Sequence, residues 1–193
     1  MTSILRSSTS FAVVMIFLSA CASQPLTHSE KETRRAEIRS MANQMLAQLY
    51  QSYPEAEARV RNSAGYAVFS DFGMKILFGG GSHGEGVAIN NANQKATYMK
   101  MLELSPGLGF GAQKFRAVFL FDTRESFDKF VNSGWEFGGN TEAALQTTTQ
   151  GAGGRLGVTV SPGVTMYHIS EAGAIVGISL AGAKYYKNDE LNN

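Results

Sequence analysis

Cysteine is almost missing from this 193-residue chain. Cys21 stands alone, so no internal disulfide can form and the fold has to rest on its core. Neither sign of charge is in excess: 17 basic residues face 16 acidic ones, for a formal net charge of +1. That balance argues against the phosphate-neutralising surface on which nonspecific nucleic-acid binding depends. His28, His83 and His168 share no ligand spacing with one another, so neither a metal site nor any other cofactor is expected. The apolar run Phe11–Leu18 is too short to span a bilayer. Glycine is absent from the first 64 residues, and all 21 glycines fall between Gly65 and Gly182. The chain therefore changes character near residue 65.

What is present begins with the leader. One cation, Arg6, precedes Phe11–Leu18, which has the length of a secretory signal's apolar centre. Leu18-Ser-Ala-Cys21 follows and resembles the bacterial lipobox, in which cleavage before the cysteine precedes its thioether linkage to diacylglycerol and its N-acylation. The expectation is a signal peptide over 1–20, diacylglycerol and a palmitate-like acyl chain on Cys21, a tether over 21–28 and one domain over 29–193. Ala22 after the cysteine resembles the pattern sorted to the outer membrane, which places the domain in the periplasm. Loss of Arg6 with the leader would leave 16 basic and 16 acidic residues, a neutral mature chain.

Residues 29–62 read as helical. Ser29-x-x-Glu32 forms a capping box, and no glycine or proline interrupts the chain from there to Ser52. Ile38, Met41, Ala42, Met45 and Leu49 recur every three or four residues and draw an apolar stripe along one face, with Arg34, Arg35, Glu37 and Arg39 on the remainder. Such a stripe is expected to pack on the domain, and lying on a membrane surface is the alternative. Pro54 opens a second short helix through Val60.

The body from 65 to 186 reads as strands joined by short turns, at Asp71–Gly73, Asn90–Asn93, Ser105–Gly107 and Ser161–Gly163. Strands are expected at 66–70, 74–78, 86–90, 96–104, 108–114, 116–122, 156–160, 164–170 and 174–186. Turns this short favour antiparallel pairing. Thr123 caps one helix over 124–131, which Gly134 ends; a helical turn is expected near 141–146. The fold class is α+β, with N-terminal helices packed on a glycine-rich, strongly curved antiparallel or barrel-like sheet.

The stretch Gly79-Gly-Gly-Ser-His-Gly-Glu-Gly86 spells two motifs at once. Gly79-x-Gly81-x-x-Gly84 matches a dinucleotide fingerprint, and Gly80-x-Ser82-x-Gly84 a nucleophile elbow. Both need a helix next, yet Val87 and Ile89 followed by Asn-Asn are too short and too β-like for one. A glycine-rich corner between two strands is the reading adopted.

The body resembles the SYLF family of lipid-binding modules. The resemblance is carried by Ala64–Phe69, Gly79–Gly86, Gly107-Leu-Gly-Phe-Gly111 with the strand Ala117–Phe121, and Gly173–Gly182, spread over roughly residues 35–186. Arg116 and Ala181 stand where the family's pattern has acidic residues. The resemblance implies phospholipid binding, of anionic head groups in particular, without catalysis. Actin binding belongs to eukaryotic members and is not carried over to a chain outside the cytoplasm.

Candidate lipid contacts are Lys75, Lys100, Lys114, Arg116 and Lys184, each in or beside an apolar strand and able to lay its stem on hydrocarbon with its charge at a phosphate. Gly79, Gly80, Gly84, Gly86, Gly111, Gly177 and Gly182 are structural motif positions, and Glu85 among them is expected to accept backbone amides of the corner. Two alternatives remain: a serine esterase or phospholipase using Ser82 with Asp122 and His168, and a structural envelope protein whose partner is another protein.

Overall fold

The structure is a computed structural model, and it describes residues 25–76, 79–105, 111–113, 116–137, 157–169 and 183–193. Cys21 and its leader, Lys114, the turn expected at 141–146, Gly177 and Gly182 lie outside the described residues.

Helix α1 (His28–Ser52) starts one residue earlier than its apolar pattern suggests. Its capping box is Thr27 with Glu30: the Glu30 N–H donates to Thr27 Oγ1 at 3.3 Å and the Thr27 N–H to the Glu30 carboxylate at 2.8 Å. The expected Ser29–Glu32 box does not form, because Thr27 is the cap and Ser29 lies inside the helix; Glu32 pairs with Arg35 at 2.6 Å. Upstream, the Leu26 N–H is held by Glu190 at 2.9 Å, which fixes the chain ahead of Thr27. Bonding to Thr27 keeps the Glu30 carboxyl below its ordinary pKa. Helix α2 (Pro54–Asn62) carries Pro54 at its first turn, where the missing N–H has no intrahelical partner to lose.

Nine strands follow among the described residues: β1 (Gly65–Ile76), β2 (Gly79–Asn90), β3 (Ala96–Ser105), β4 (Gly111–Gln113), β5 (Arg116–Phe121), β6 (Trp135–Phe137), β7 (Val158–Ser161), β8 (Val164–His168) and β9 (Ala183–Lys187). Helix α3 (Arg124–Ser133) precedes β6, and a short α4 (Asp189–Asn192) follows β9. The sheet runs β6-β9-β3-β2-β1-β5-β8-β7, with β4 also beside β1, and every pairing is antiparallel. The result is a curled α+β fold of the expected class.

Alternation along each strand gives the sheet two buried faces. Ala67, Phe69, Ala88, Met99, Met101, Phe119, Phe121 and Tyr185 gather with Phe127, Phe130 and Val131 of α3 on one. Val68, Val87, Tyr98, Val118, Leu120 and Tyr167 pack under Ile38, Ala42, Met45 and Leu49 of α1 on the other. The stripe on α1 is therefore core, as expected.

Two turns anticipated from glycine do not occur. Asp71–Gly73 lies within β1, where Phe72 pairs with His83 and Gly73 with both Ser82 and Gln113. Gly79–Gly86 is not a corner but the first eight residues of β2, paired with β1 on one side and from Gly80 with β3 on the other. Ile76, the last residue of β1, pairs with Gly79, the first of β2. Hydrogen bonding from both neighbours keeps a glycine-rich segment extended where its own propensity is weak. Gly86 has a packing reason: a Cβ there would strike the Val68 carbonyl oxygen and the ring of its cross-strand partner Phe69.

Candidate functional site

The registers place several of the expected site residues on one rung. Tyr186 lies opposite Lys100, Lys100 opposite Glu85, Glu85 opposite Ser70 and Ser70 opposite Arg116. Directly opposed residues share a face, and this is the α1 face, to which Tyr98 and Val87 also belong. Lys184 lies on the same face one row along, opposite Leu102, and its ammonium meets Glu136 at 3.5 Å with both side chains more than half exposed. Lys75 sits near the far end of β1, opposite Gly80 and Gly111, five residues from the Ser70 rung. Lys100, Arg116 and Lys184 are thus brought to one face, and Lys75 is set apart from them.

Glu85 does not bond the amides of a corner, since those amides belong to the sheet. Its carboxylate takes Nη2 of Arg34 at 2.6 Å, while Nη1 of the same guanidinium holds Glu37 at 2.9 Å. Bonding first to Glu37 and then to Glu85 raises the Arg34 pKa above its ordinary value. Lys100 makes no ion pair among the described residues and lines a groove of about 320 Å³ with Leu26, Arg34, Glu85, Asn188 and Leu191.

The esterase constellation does not assemble. Ser82 lies in β2 with no helix after it, and His168 lies on β8 beyond β1 and β5. Three strand spacings, roughly 14 Å across the sheet, separate the two strands, and the row of His168 meets β2 at Gly86 rather than at Ser82. Asp122 follows the last residue of β5, at the opposite end of that strand from Ala117, the partner of His168.

Sequence reading assigned the α1 arginines to the side away from the domain, and here it missed the geometry. Arg35 and Arg39 each bring their guanidinium carbon 5.8 Å from the centre of the buried Tyr98 ring, and Arg39 Nε donates to the Tyr98 hydroxyl at 2.7 Å. Arg59 of α2 treats Tyr167 the same way, 5.6 Å from its ring, and reaches Thr165 Oγ1 at 3.2 Å. Each tyrosine keeps its ring in hydrocarbon while its hydroxyl meets a cation at the rim. The available signal was spacing: Arg35 and Arg39 lie one turn apart and flank the stripe residue Ile38.

Residues 103–193 match the family model described as Ysc84, Las17-binding protein actin regulator. Over 161 residues, 83% of this chain, the sequence is 32% identical to beta cell expansion factor A of Aeromonas veronii. The chain spans 59% of that relative's length. These matches show that residues 103–193 carry a domain of the SYLF family that the Ysc84 model describes.

Proposed function

We propose that this chain is a lipid-anchored protein of the bacterial cell envelope, acylated at Cys21 and held at the outer membrane facing the periplasm, whose SYLF body binds phospholipids with anionic head groups and performs no reaction on them. Family membership is the observation that carries this reading. The convergence of Lys100, Arg116 and Lys184 on one sheet face supports it, as does the lipobox-like Leu18–Cys21. Las17 binding and actin regulation belong to the family description, and beta-cell expansion to the relative's name; neither is assigned to this chain.

The anchor and the body are separable by experiment. Full chain carrying Cys21→Ser lacks the anchor, and it is expected to float with phosphatidylcholine vesicles containing phosphatidylglycerol but not with phosphatidylcholine alone. Reversing Lys100 and Arg116 to glutamate should lower that recovery severalfold; equal recovery with both vesicle types would reject the reading. Radiolabelled palmitate should enter the wild-type chain in cells and not the Cys21→Ser variant.

A further inference from the structure

On the other side of α1 from the Lys100 groove lies a second groove, of about 440 Å³, lined by Arg35, Arg39, Lys95, Lys187 and Tyr98 with Glu32 at its edge. We propose that this groove is a binding site for a phosphate group, with Arg39, Lys95 and Lys187 as its ligands and Arg35 as a fixed charge in its wall. Four cationic residues line the groove with one carboxylate, and that carboxylate is already paired, Glu32 with Arg35 at 2.6 Å. Arg35 also donates from Nε and Nη2 to the backbone oxygens of Leu191 and Asn193, at 2.8 and 3.2 Å. Three bonds on three different nitrogens hold it in place.

Arg39 is different. Its Nε is committed to Tyr98, which orients the guanidinium, while its two Nη groups make no hydrogen bond among the described residues. Lys95 and Lys187 likewise have no ion pair among the described residues. Like charges lining one groove repel, so an anion placed among them gains from each. A planar guanidinium fork beside two ammonium groups suits the oxygens of a phosphate.

The floor beneath is rigid. Asn192 accepts from the Tyr98 N–H at 3.0 Å and donates to the Tyr98 and Asn188 carbonyls at 2.7 Å each, stitching α4 to β3. Charges are therefore positioned before any ligand arrives, which lowers the ordering cost of binding. The site stands apart from the membrane reading above, since Lys100, Arg116 and Lys184 are not among its residues. The phosphate's source is either a lipid head group or a soluble monoester, and the test distinguishes them.

The mature acylated chain in neutral detergent would be titrated with glycerol 3-phosphate, with succinate, and with mixed micelles containing phosphatidic acid or phosphatidylcholine. Affinity would be followed by calorimetry and by the rise in Tm that a ligand of the folded state produces. Wild type is expected to bind glycerol 3-phosphate or phosphatidic acid micelles, and to bind succinate and phosphatidylcholine at least tenfold more weakly. Lys95→Glu with Lys187→Glu, whose side chains make no hydrogen bond among the described residues, should lower affinity at least tenfold and leave the unliganded Tm in place. Arg61→Glu with Lys129→Glu makes the same charge change on α2 and α3 and should alter affinity less than twofold. Arg39→Lys, which keeps the charge and loses the fork, should fall between.

Binding of phosphatidic acid alone assigns the site to a lipid, and binding of both probes assigns it to the phosphate group itself. Soluble binding with no response to any anionic lipid would support the site while counting against the membrane reading. The proposal is overturned if wild type binds no phosphate probe, if succinate matches phosphate, or if the groove and control variants lose equally. Flotation that persists while the groove variant matches wild type would overturn the site and leave the membrane reading standing.

Discussion

The two faces of the sheet are built from different chemistry. Facing α3, Phe69, Phe119, Phe121, Phe127, Phe130 and Tyr185 form a connected set of ring contacts, with Phe69 and Tyr185 centred 4.8 Å apart and Phe119 and Tyr185 5.2 Å apart. Facing α1 and α2, the strands offer smaller aliphatic residues and two tyrosines, each met by arginine. The first face is committed to cohesion, because interlocked rings leave no room for a ligand without undoing the packing. The second combines a sealed apolar centre with a charged rim, and the two grooves described above open where the helix meets that rim. Function on this scaffold is expected at the border of the helical layer.

Substitutions can break this contrast. The largest effect is expected on the ring face: Phe69→Ala should cost about 3–5 kcal/mol, read as a lower midpoint in urea unfolding. Leu49→Ala, fully buried on α1, should cost about 2–4 kcal/mol, and a cost near zero would show that α1 is not part of the core. Tyr98→Phe keeps the ring and removes the acceptor of Arg39, and should cost about 1 kcal/mol. Glu85→Gln, which weakens the partly exposed pair with Arg34, should change stability by no more than roughly 0.5 kcal/mol. A subtler effect appears only with pH. Burial lowers the His168 pKa from its ordinary 6.5, so the unfolded chain binds the proton first as pH falls. Stability should decline as pH drops below about 6.5 and level off once the folded state is also protonated; His168→Gln should flatten that part of the profile.

Much of the architecture was legible because it is local. The stripe on α1, Pro54 opening α2, Thr123 capping α3 and the turn at Ser161–Gly163 each depend on residues a few positions apart, and the structure has all four. Thr123 Oγ1 accepts from the Ser126 N–H at 3.2 Å, and Gly134 ends α3 at φ +72°. What failed depends on distant neighbours. Gly73 and Gly79–Gly81 read as breaks, since nothing local shows that each will be flanked by other strands. The β6 strand, α4 and the pairing of β9 with β3 were likewise invisible, because their partners lie far along the chain. Of the candidate cations, the grouping of Lys100, Arg116 and Lys184 on one face also rests on registers between distant strands and was not read from the sequence. The arginine–tyrosine contacts needed the angle at which α1 crosses the sheet, which no periodicity encodes.

The Leu26–Glu190 bond and the grip of Arg35 on Leu191 fasten the start of α1 to the end of the chain, at the edge where both grooves open. From Cys21 to Leu26 the backbone can reach no more than about 17 Å. A fatty anchor on that cysteine would therefore act as a short leash, turning this edge toward the bilayer and leaving the ring-filled half of the molecule pointing away.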